Sequence, residues 1–346
     1  IRTNGSLDLY VATVDTNENV YASGAGATNH WMASAEAPML SLRSVFDRFD
    51  LEPGDRIWVD PGVYPEDEAI AVGMKNSGSA GNPVRVIGDT NRPYRGTFLA
   101  RTARTTASSV FQISRAGGIH IEALTVSNAW RGIRVDNTGK AVLEKVRGVS
   151  CGTNTVEAGA GANLELSRVI LEKSLVSGLH TFTGATVTVR HSLFRDHALA
   201  GFFLRGGSVE VRNSILEAEG TGQHVYYTGG TTALDSDYNN IRATDGANVA
   251  GGDNQPDDRF LIDWQLNAGQ DPSSFGYAAR FADEAGYDFH LKSEYGRFDP
   301  ATGTWPNDPE GETSRLIDLG DAAPTNEPAP NGGKVNVGLY GDTPEA

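Results

Sequence analysis

Apolar residues recur along this chain every 22 or 23 residues, and no other feature of the sequence restricts its fold as strongly. One column consists of Ile121, Leu143, Leu166, Val189, Val211 and Leu234, and a second consists of Val110, Ile133, Val156, Leu179, Phe202 and Val225. A fixed period of this length is typical of solenoids, and the period-two alternation within each repeat predicts strands. The columns therefore predict an all-β fold, a single-stranded right-handed parallel β-helix in which stacked rungs bury each column as a core ladder.

The domain organisation follows from the way a solenoid grows, because rungs are added to one elongated core. We expect one β-helix domain over all 346 residues. Residues 1–55 are predicted to form an N-terminal cap and lead-in segment, and residues 56–245 the rungs. Residues 246–346 are predicted to form loop-rich C-terminal rungs and a cap.

Two segments outside the repeats carry specific expectations. One face of a predicted helix over residues 41–49 carries Leu42, Val45, Phe46 and Phe49. We expect this short helix to cover the N-terminal end of the core, since repeat arrays need their open ends shielded. The aperiodic segment 251–279 is predicted to be a long surface loop or flap.

Composition excludes several classes of partner. The chain has 29 basic and 44 acidic residues, a net charge of −15, which argues against nucleic acid or an anionic membrane as the partner. No apolar run has membrane-spanning length, so membrane insertion is not expected. The one cysteine, Cys151, excludes an internal disulfide and is expected to fill space in the core.

The segments at the two ends of the chain resemble a known superfamily. The run LRSVFDRFDLEPGDRIWVDPGVY is similar to the beginning of pectin-lyase-like right-handed parallel β-helix proteins of the bacterial secreted and surface type. The runs YDFHLKSEYGR and LIDLGDAAPTNEPAPNGGKVNVGLYGDTPEA are similar to terminal segments of large multi-module bacterial β-helix proteins. The resemblance implies the β-helix fold, an extracellular or cell-surface location and neighbouring modules in a longer chain. It does not imply one activity, because the superfamily includes lyases, hydrolases, epimerases and non-enzymatic modules.

The candidate site lies on the residues that alternate with one apolar column and therefore point outward. This face has the densest mixture of ionisable and aromatic side chains in the repeats. Aromatic rings stack on sugar rings, and arginine binds carboxylates in a bidentate way, so the mixture suits an acidic polysaccharide. The predicted catalytic residues are His180, Tyr226, Arg205 and Glu157. The predicted substrate-binding residues are Arg134, Asp136, Trp130, Phe182, Phe203 and His224.

Three functions are compatible with this face. A polysaccharide lyase needs a base for the C5 proton of a uronate and a cation for the developing enolate. His180 or Tyr226 would supply the first, and Arg205 or Arg134 the second. An inverting glycoside hydrolase would use Asp136 and Glu157, which are predicted to lie roughly 8 Å apart. A non-catalytic surface or adhesion module would carry the same residues as an ordinary charge ladder. We favour the lyase. No motif marks a metal site, and Ca²⁺ is the one cofactor that the sequence leaves open.

Overall fold

The fold is that of a computed structural model, which describes residues 5–105, 107–253, 255–321, 327–329, 331 and 333–346. Residues 322–326, part of the predicted C-terminal cap, therefore lie outside the described residues. Three parallel sheets run the length of the molecule, and the chain visits them in a fixed order, sheet C, sheet A and sheet B, in each rung. The predicted parallel β-solenoid is confirmed.

The strands divide among the sheets as follows. Sheet C contains β4 Ile70–Val72, β7 Ser109–Ser114, β10 Arg131–Asp136, β13 Asn154–Ala158, β16 Ser177–Thr181, β19 Ala200–Leu204, β22 His224–Thr228, β25 Asn248–Gly252 and the antiparallel β26 Gln255–Asp258. Sheet A contains β1 Asp8–Val11, β2 Arg56–Val59, β5 Val84–Ile87, β8 Ile119–Glu122, β11 Lys140–Glu144, β14 Asn163–Ser167, β17 Thr186–Arg190, β20 Gly207–Arg212 and β23 Thr232–Asp237. Sheet B contains β3 Gly62–Glu66, β6 Thr97–Arg101, β9 Thr125–Ser127, β12 Arg147–Val149, β15 Ile170–Glu172, β18 Leu193–Arg195, β21 Ile215–Glu219 and β24 Asn240–Thr244.

The pairing register confirms the predicted period in the middle rungs. Four inward residues of sheet C follow one another at steps of 23 residues, namely Ile133, Val156, Leu179 and Phe202. All four side chains are buried in the main core. The step before them is shorter, because Phe111 and not Val110 pairs with Ile133.

The last rungs depart from the predicted register. Phe202 pairs with Tyr226 and not with Val225, and Leu234 pairs with Val209 in sheet A. The cause for β22 is the length of β21, which has five residues where β18 has three, while the connection that follows each of these strands has four residues. Because side chains alternate between the two faces of a strand, a slip of one residue exchanges the inward and outward positions.

The ends of the core are covered differently. Helix α1, Leu42–Arg48, buries Leu42, Val45 and Phe46 and contacts β4, while its predicted capping role stays a prediction. The segment 251–279, predicted to be a loop, instead contains β26 and helix α2, Leu261–Ala268. Trp264 of α2 stacks on Tyr226 of the core, with 5.5 Å between ring centroids.

A second hydrophobic cluster lies outside the main core. Ile170, Leu193 and Ile215 project from the outer face of sheet B and pack against the C-terminal segment, including Phe289 and Leu316. This segment contains the antiparallel strands β27 Phe281–Asp283 and β28 Asp288–Leu291. The C-terminal segment therefore covers sheet B and leaves the outer faces of the other two sheets as the surfaces for a ligand. No helix among the described residues is long and apolar enough to span a membrane.

Candidate functional site

Most of the predicted site residues are brought together on the outer face of sheet C, in adjacent columns that the pairing register fixes. One column contains Arg134, Glu157, His180, Phe203 and Tyr227. Arg131 and Asn154 occupy a second column on successive rungs. Asp136, Phe182 and Arg205 lie at the other edge of the face. Neighbouring rungs are about 4.8 Å apart, so side chains in one column are in contact range.

The first part of the face is an ion-pair cluster around Glu157. The carboxylate of Glu157 lies 2.7 Å from Nε of Arg131 and 3.4 Å from Nε of Arg134. Nδ2 of Asn154 also donates a hydrogen bond of 3.2 Å to Oε2 of Glu157. Glu157 is 5% exposed, and this burial is stable because three donors surround the carboxylate.

Arg134 connects both carboxylates that the hydrolase hypothesis requires. Its Nε lies 2.9 Å from Oδ2 of Asp136 in addition to its contact with Glu157. Asp136 is also nearly buried and accepts a hydrogen bond from Asn137. An inverting hydrolase needs a protonated carboxyl, a carboxylate and room for a water between them. A guanidinium group shared by the two carboxylates does not provide that arrangement.

The second part of the face is aromatic and is centred on His180. The imidazole lies between Phe182 and Phe203, with ring centroids 4.2 Å and 4.6 Å away. Burial lowers the pKa of His180 to about 4, and the positive charges of Arg205 and Arg131 act in the same direction. The imidazole is therefore neutral at neutral pH.

Arg205 is the positively charged side chain next to this aromatic part of the face. Its guanidinium carbon lies 4.6 Å from the ring centroid of Phe203, and its side chain forms an ion pair with Asp253. Tyr227 also donates a hydrogen bond of 2.9 Å to Asp253. The side chains of Arg205 and Asp253 are 38% and 35% exposed, so a ligand carboxylate can reach the guanidinium and exchange with Asp253.

Tyr226 is not on this face, and the prediction that it points outward is wrong. Its side chain is fully buried and stacks on Trp264, and its hydroxyl group forms a hydrogen bond with the hydroxyl group of Ser236. The extra length of β21 places Tyr227 at the outward position instead. Burial raises the pKa of Tyr226 well above its usual value, and the negative charge of Asp271 adds to this shift. A buried, protonated phenol cannot serve as a substrate-facing acid or base.

The remaining predicted residues lie at the margins of the face. His224 is nearly buried, and its Nε2 lies 3.0 Å from Oδ1 of Asp257. Its ring meets Tyr227 edge to face at 5.3 Å. Trp130 lies at the corner before β10. Its ring packs closely on Gly152, since a Cβ added to that glycine would be 2.7 Å from the ring. Trp130 borders the face, whereas His224 continues the Asn154 column through Ser177 and Ala200.

Four contributors were not among the predicted residues. Arg131 begins a column of the face, and Asn154 follows it by one period, so the repeat itself contains the signal for Asn154. Tyr227 depends on the extra length of β21. Asp253 lies in the turn between β25 and β26, and no pattern in the sequence indicates that it returns to Arg205.

The described residues contain one group of side chains that could share a metal ion, and it lies on sheet A. His120, Glu122 and Glu144 place one ligand atom each within 4.8 Å of the others. Glu144 lies 3.1 Å from Nε2 of His120, and Arg85 binds Glu122. These contacts explain the cluster as two ion pairs on neighbouring rungs, and the cluster is separate from the face of sheet C.

Comparisons with known proteins concern the fold. Pectate lyase Pel9A is 13% identical, with a TM-score of 0.47 and coverage of 97% of each chain. A rhamnogalacturonan lyase is 12% identical, with a TM-score of 0.46 and coverage of 91% of this chain and 98% of the other. An alginate lyase from Paenibacillus sp. str. FPU-7 is 14% identical, with a TM-score of 0.39 and coverage of 61% and 93%. Comparison with curated proteins gives no match.

A family comparison covers the rungs. Residues 109–257 match the model of the right handed beta helix region, which begins in β7 and ends in β26. This stretch contains all of the stacked positions discussed above. The resemblance to right-handed β-helix proteins that the sequence predicts is thereby confirmed over residues 109–257.

Proposed function

We propose that the protein binds an acidic polysaccharide along the outer face of sheet C. The observation that carries this proposal is the position of His180 between Phe182 and Phe203, beside the exposed guanidinium of Arg205. Stacked aromatic rings offer apolar surfaces to sugar rings, and Arg205 offers a bidentate partner to a uronate carboxylate. The columns continue over several rungs, so the face suits a polymer that crosses them. Such a ligand fits an extracellular or cell-surface location.

The catalytic form of this proposal is β-elimination. Arg205 would stabilise the negative charge that develops on the uronate carboxylate, and His180 would accept the proton from C5. The C4–O bond then breaks as the C4–C5 double bond forms, and the imidazolium returns the proton to the departing sugar oxygen. Because the imidazole is neutral at neutral pH, it can accept a proton there. A base at Nε2 requires the ring proton to reside on Nδ1, so the hydrogen bond from Asn154 must break during the reaction. Nε2 is also buried in the free protein, so the ring or a neighbouring side chain must move before C5 can reach it.

A non-catalytic surface module is the second candidate, and one observation favours it. Each carboxylate within the columns or beside Arg205 is paired with an arginine. These carboxylates belong to Asp136, Glu157 and Asp253. Such pairing stabilises a fixed binding surface but leaves His180 as the one group of the face free for proton transfer. Both candidates bind the same ligand, but only the lyase converts it to a product.

Activity assays separate the candidates. Polymers of galacturonate, mannuronate and guluronate are incubated with the protein, and the absorbance of unsaturated products is followed. A lyase gives rising absorbance that His180→Ala abolishes. Reducing ends without absorbance indicate hydrolysis, which would contradict β-elimination. Binding without any product supports the module.

Binding assays test the shared part of the proposal. Affinity electrophoresis should show weaker binding of an acidic polymer by Arg205→Ala, by about tenfold, with a smaller dependence on salt. Asp253→Asn should strengthen binding, because it removes the competing carboxylate. Arg190→Ala is the matched control, since the Arg190–Glu210 pair on sheet A is similarly exposed, at 41% and 37%. Equal losses in Arg205→Ala and Arg190→Ala, or no binding of any polymer, would contradict the proposal.

A further inference from the structure

The C-terminal segment carries an open cleft that the face of sheet C does not explain. The cleft has a volume of about 420 Å³ and is bordered by Tyr295, Trp305, Asp318 and Asn336. Its segment packs against sheet B through Phe289 and Leu316. The cleft therefore belongs to another side of the molecule than the columns of sheet C.

Two aromatic side chains form walls of this cleft and remain in contact with solvent. Tyr295 is 85% exposed and Trp305 is 37% exposed. Rings left in water gain little of the free energy that burial of an aromatic side chain provides, so the core does not account for them. Trp305 is held at one edge by Phe298, with 5.6 Å between ring centroids. Its remaining surface is available to a ligand.

The loop that presents these rings is fixed by its own hydrogen bonds. Asp299 and Thr304 form an antiparallel bridge, and the Asp299 carboxylate accepts hydrogen bonds from Ala301 N and from Thr302 Oγ1. The backbone N–H of Arg297 donates to the carbonyl of Pro306 over 3.1 Å. A loop fixed in this way loses little conformational freedom when a ligand binds.

Polar groups complete the lining. The side-chain oxygen of Asn336 accepts a hydrogen bond of 2.8 Å from the backbone of Asp318, which fixes the Asn336 amide at the cleft. The guanidinium of Arg297 also borders the cleft, but Asp308 holds its Nε at 3.0 Å and Asp288 lies 3.5 Å from its Nη1. With Arg297 neutralised and Asp318 present, the lining disfavours a polyanion and offers partners for hydroxyl groups.

We propose that this cleft binds a neutral oligosaccharide, with Tyr295 and Trp305 stacking on its sugar rings. Sugar rings have apolar faces and hydroxyl-bearing edges, and the cleft pairs aromatic walls with the amide of Asn336 and the carboxylate of Asp318. This second site does not depend on the function proposed for sheet C, because it uses other residues and takes a ligand without charge.

The test is a titration by calorimetry with neutral and acidic oligosaccharides. The neutral probes are short β-glucan, mannan, xylan and galactan fragments, and the acidic probe is an oligogalacturonate. We expect a neutral probe to bind the unmodified protein, and Tyr295→Ala and Trp305→Ala each to weaken it about tenfold or more, as is typical of aromatic anchors. The exposure of Tyr295 makes Tyr295→Ala safe for folding, whereas Trp305→Ala also removes the contact with Phe298.

Two matched controls locate the site. Trp31→Ala removes another exposed aromatic ring, 74% exposed, and Phe203→Ala alters the face of sheet C; neither should change the affinity for a neutral probe. Binding lost in Phe203→Ala but kept in Tyr295→Ala would move the neutral ligand to sheet C and overturn the inference. Binding of no neutral probe would also overturn it. Neither outcome affects the binding of acidic polymers proposed for sheet C.

Discussion

Nδ2 of Asn154 lies 3.1 Å from Nδ1 of His180. The other atom of the same amide, Oδ1, accepts a hydrogen bond of 2.8 Å from Ser177, and Nδ2 also donates to Glu157. These contacts fix the orientation of the amide, so Nδ1 of His180 is the acceptor and the neutral ring carries its proton on Nε2. Among the described residues, Nε2 has no hydrogen-bond partner. The free protein therefore holds a buried donor without a partner, and the ring or a neighbouring side chain must move before a sugar oxygen can reach it.

The first prediction concerns the pKa of His180. Asn154→Asp places a negative charge next to the ring and should raise the pKa of His180 from about 4 towards its usual value of 6.5. Asn137→Asp introduces the same charge at the end of β10, away from the His180 contact, and serves as the control. An NMR titration of the imidazole measures both. Equal shifts in the two variants, or none in Asn154→Asp, would show that Asn154 does not set the state of His180.

The second prediction contrasts two neighbouring tyrosines. Tyr226→Ala removes a fully buried ring and its stacking on Trp264, and should lower the free energy of unfolding by about 3–5 kcal/mol. Tyr227→Ala removes a half-buried ring on the outer face and should cost about 1 kcal/mol or less. Guanidinium unfolding curves of both variants give the comparison. A larger loss for Tyr227→Ala would mean that β22 has the register that the sequence predicts.

This pair of tyrosines also shows how far sequence reasoning reaches. In the middle rungs the connections keep one length, so a 23-residue step correctly placed Glu157 and His180 side by side on the outer face. Between Phe202 and Tyr226 the step is 24 residues (226 − 202), and the apolar pattern alone does not register the change, because Val225 is apolar and buried as well. The length of β21, not hydrophobicity, decided which residue of β22 faces outward.

The contacts of the C-terminal segment were beyond prediction for a different reason. Ile170 and Leu193 occupy outward positions of sheet B, and their apolar character indicates that something covers them. The covering segment has no repeat, so no period relates Leu316 to its partners. Asp253 reaches Arg205 for a similar reason, through a turn that follows the last parallel strand. Pairings of this kind come from tertiary packing, which leaves no periodic signal in the chain.

The third prediction concerns a buried ion network that holds this segment to sheet B. Glu172 has a fully buried side chain between Arg147 and Arg195, and Arg147 also bonds to Tyr287. Burial alone would raise the pKa of Glu172, but the two guanidinium groups lower it below its usual value. Glu172→Gln leaves both arginines without their anion and should cost about 3–5 kcal/mol of unfolding free energy.

The same variant should loosen the C-terminal segment. We expect limited proteolysis to cut the segment around β27 and β28 faster in Glu172→Gln than in the unmodified protein. Glu210→Gln breaks the exposed pair with Arg190 on sheet A and should cost about 1 kcal/mol or less, with unchanged proteolysis. Similar effects of the two substitutions would mean that the network does not hold the segment in place.

The fourth prediction is a pH dependence at the N-terminal helix. Glu66 of β3 is 2% exposed, and its carboxyl oxygens lie 3.4 Å from Oγ of Ser41, the residue before α1. Burial raises the pKa of Glu66 from 4.5 to about 7, although Arg43 and Ser41 act in the opposite direction. The folded state therefore holds this proton more tightly than the unfolded state does. Its stabilising contribution is complete below pH 4.5 and is lost as the pH rises through 7.

Glu66→Gln isolates this contribution. Between about pH 5 and pH 8 the unmodified protein should lose more stability than the variant, because only the unmodified protein must ionise the buried carboxyl of Glu66 as the pH rises. Burial also raises the pKa of Glu327 to about 7, but Glu327 is present in both proteins and cancels in the difference. His180 and His197, whose pKa values burial lowers to about 4, change stability in the opposite direction below pH 6.5, but they do so in both proteins and cancel in the difference. Glu68→Gln is the matched control, since Glu68 also binds Arg43 while its side chain is 74% exposed. Urea unfolding at the two pH values measures all three proteins, and a difference that Glu68→Gln reproduces would refute the role of Glu66.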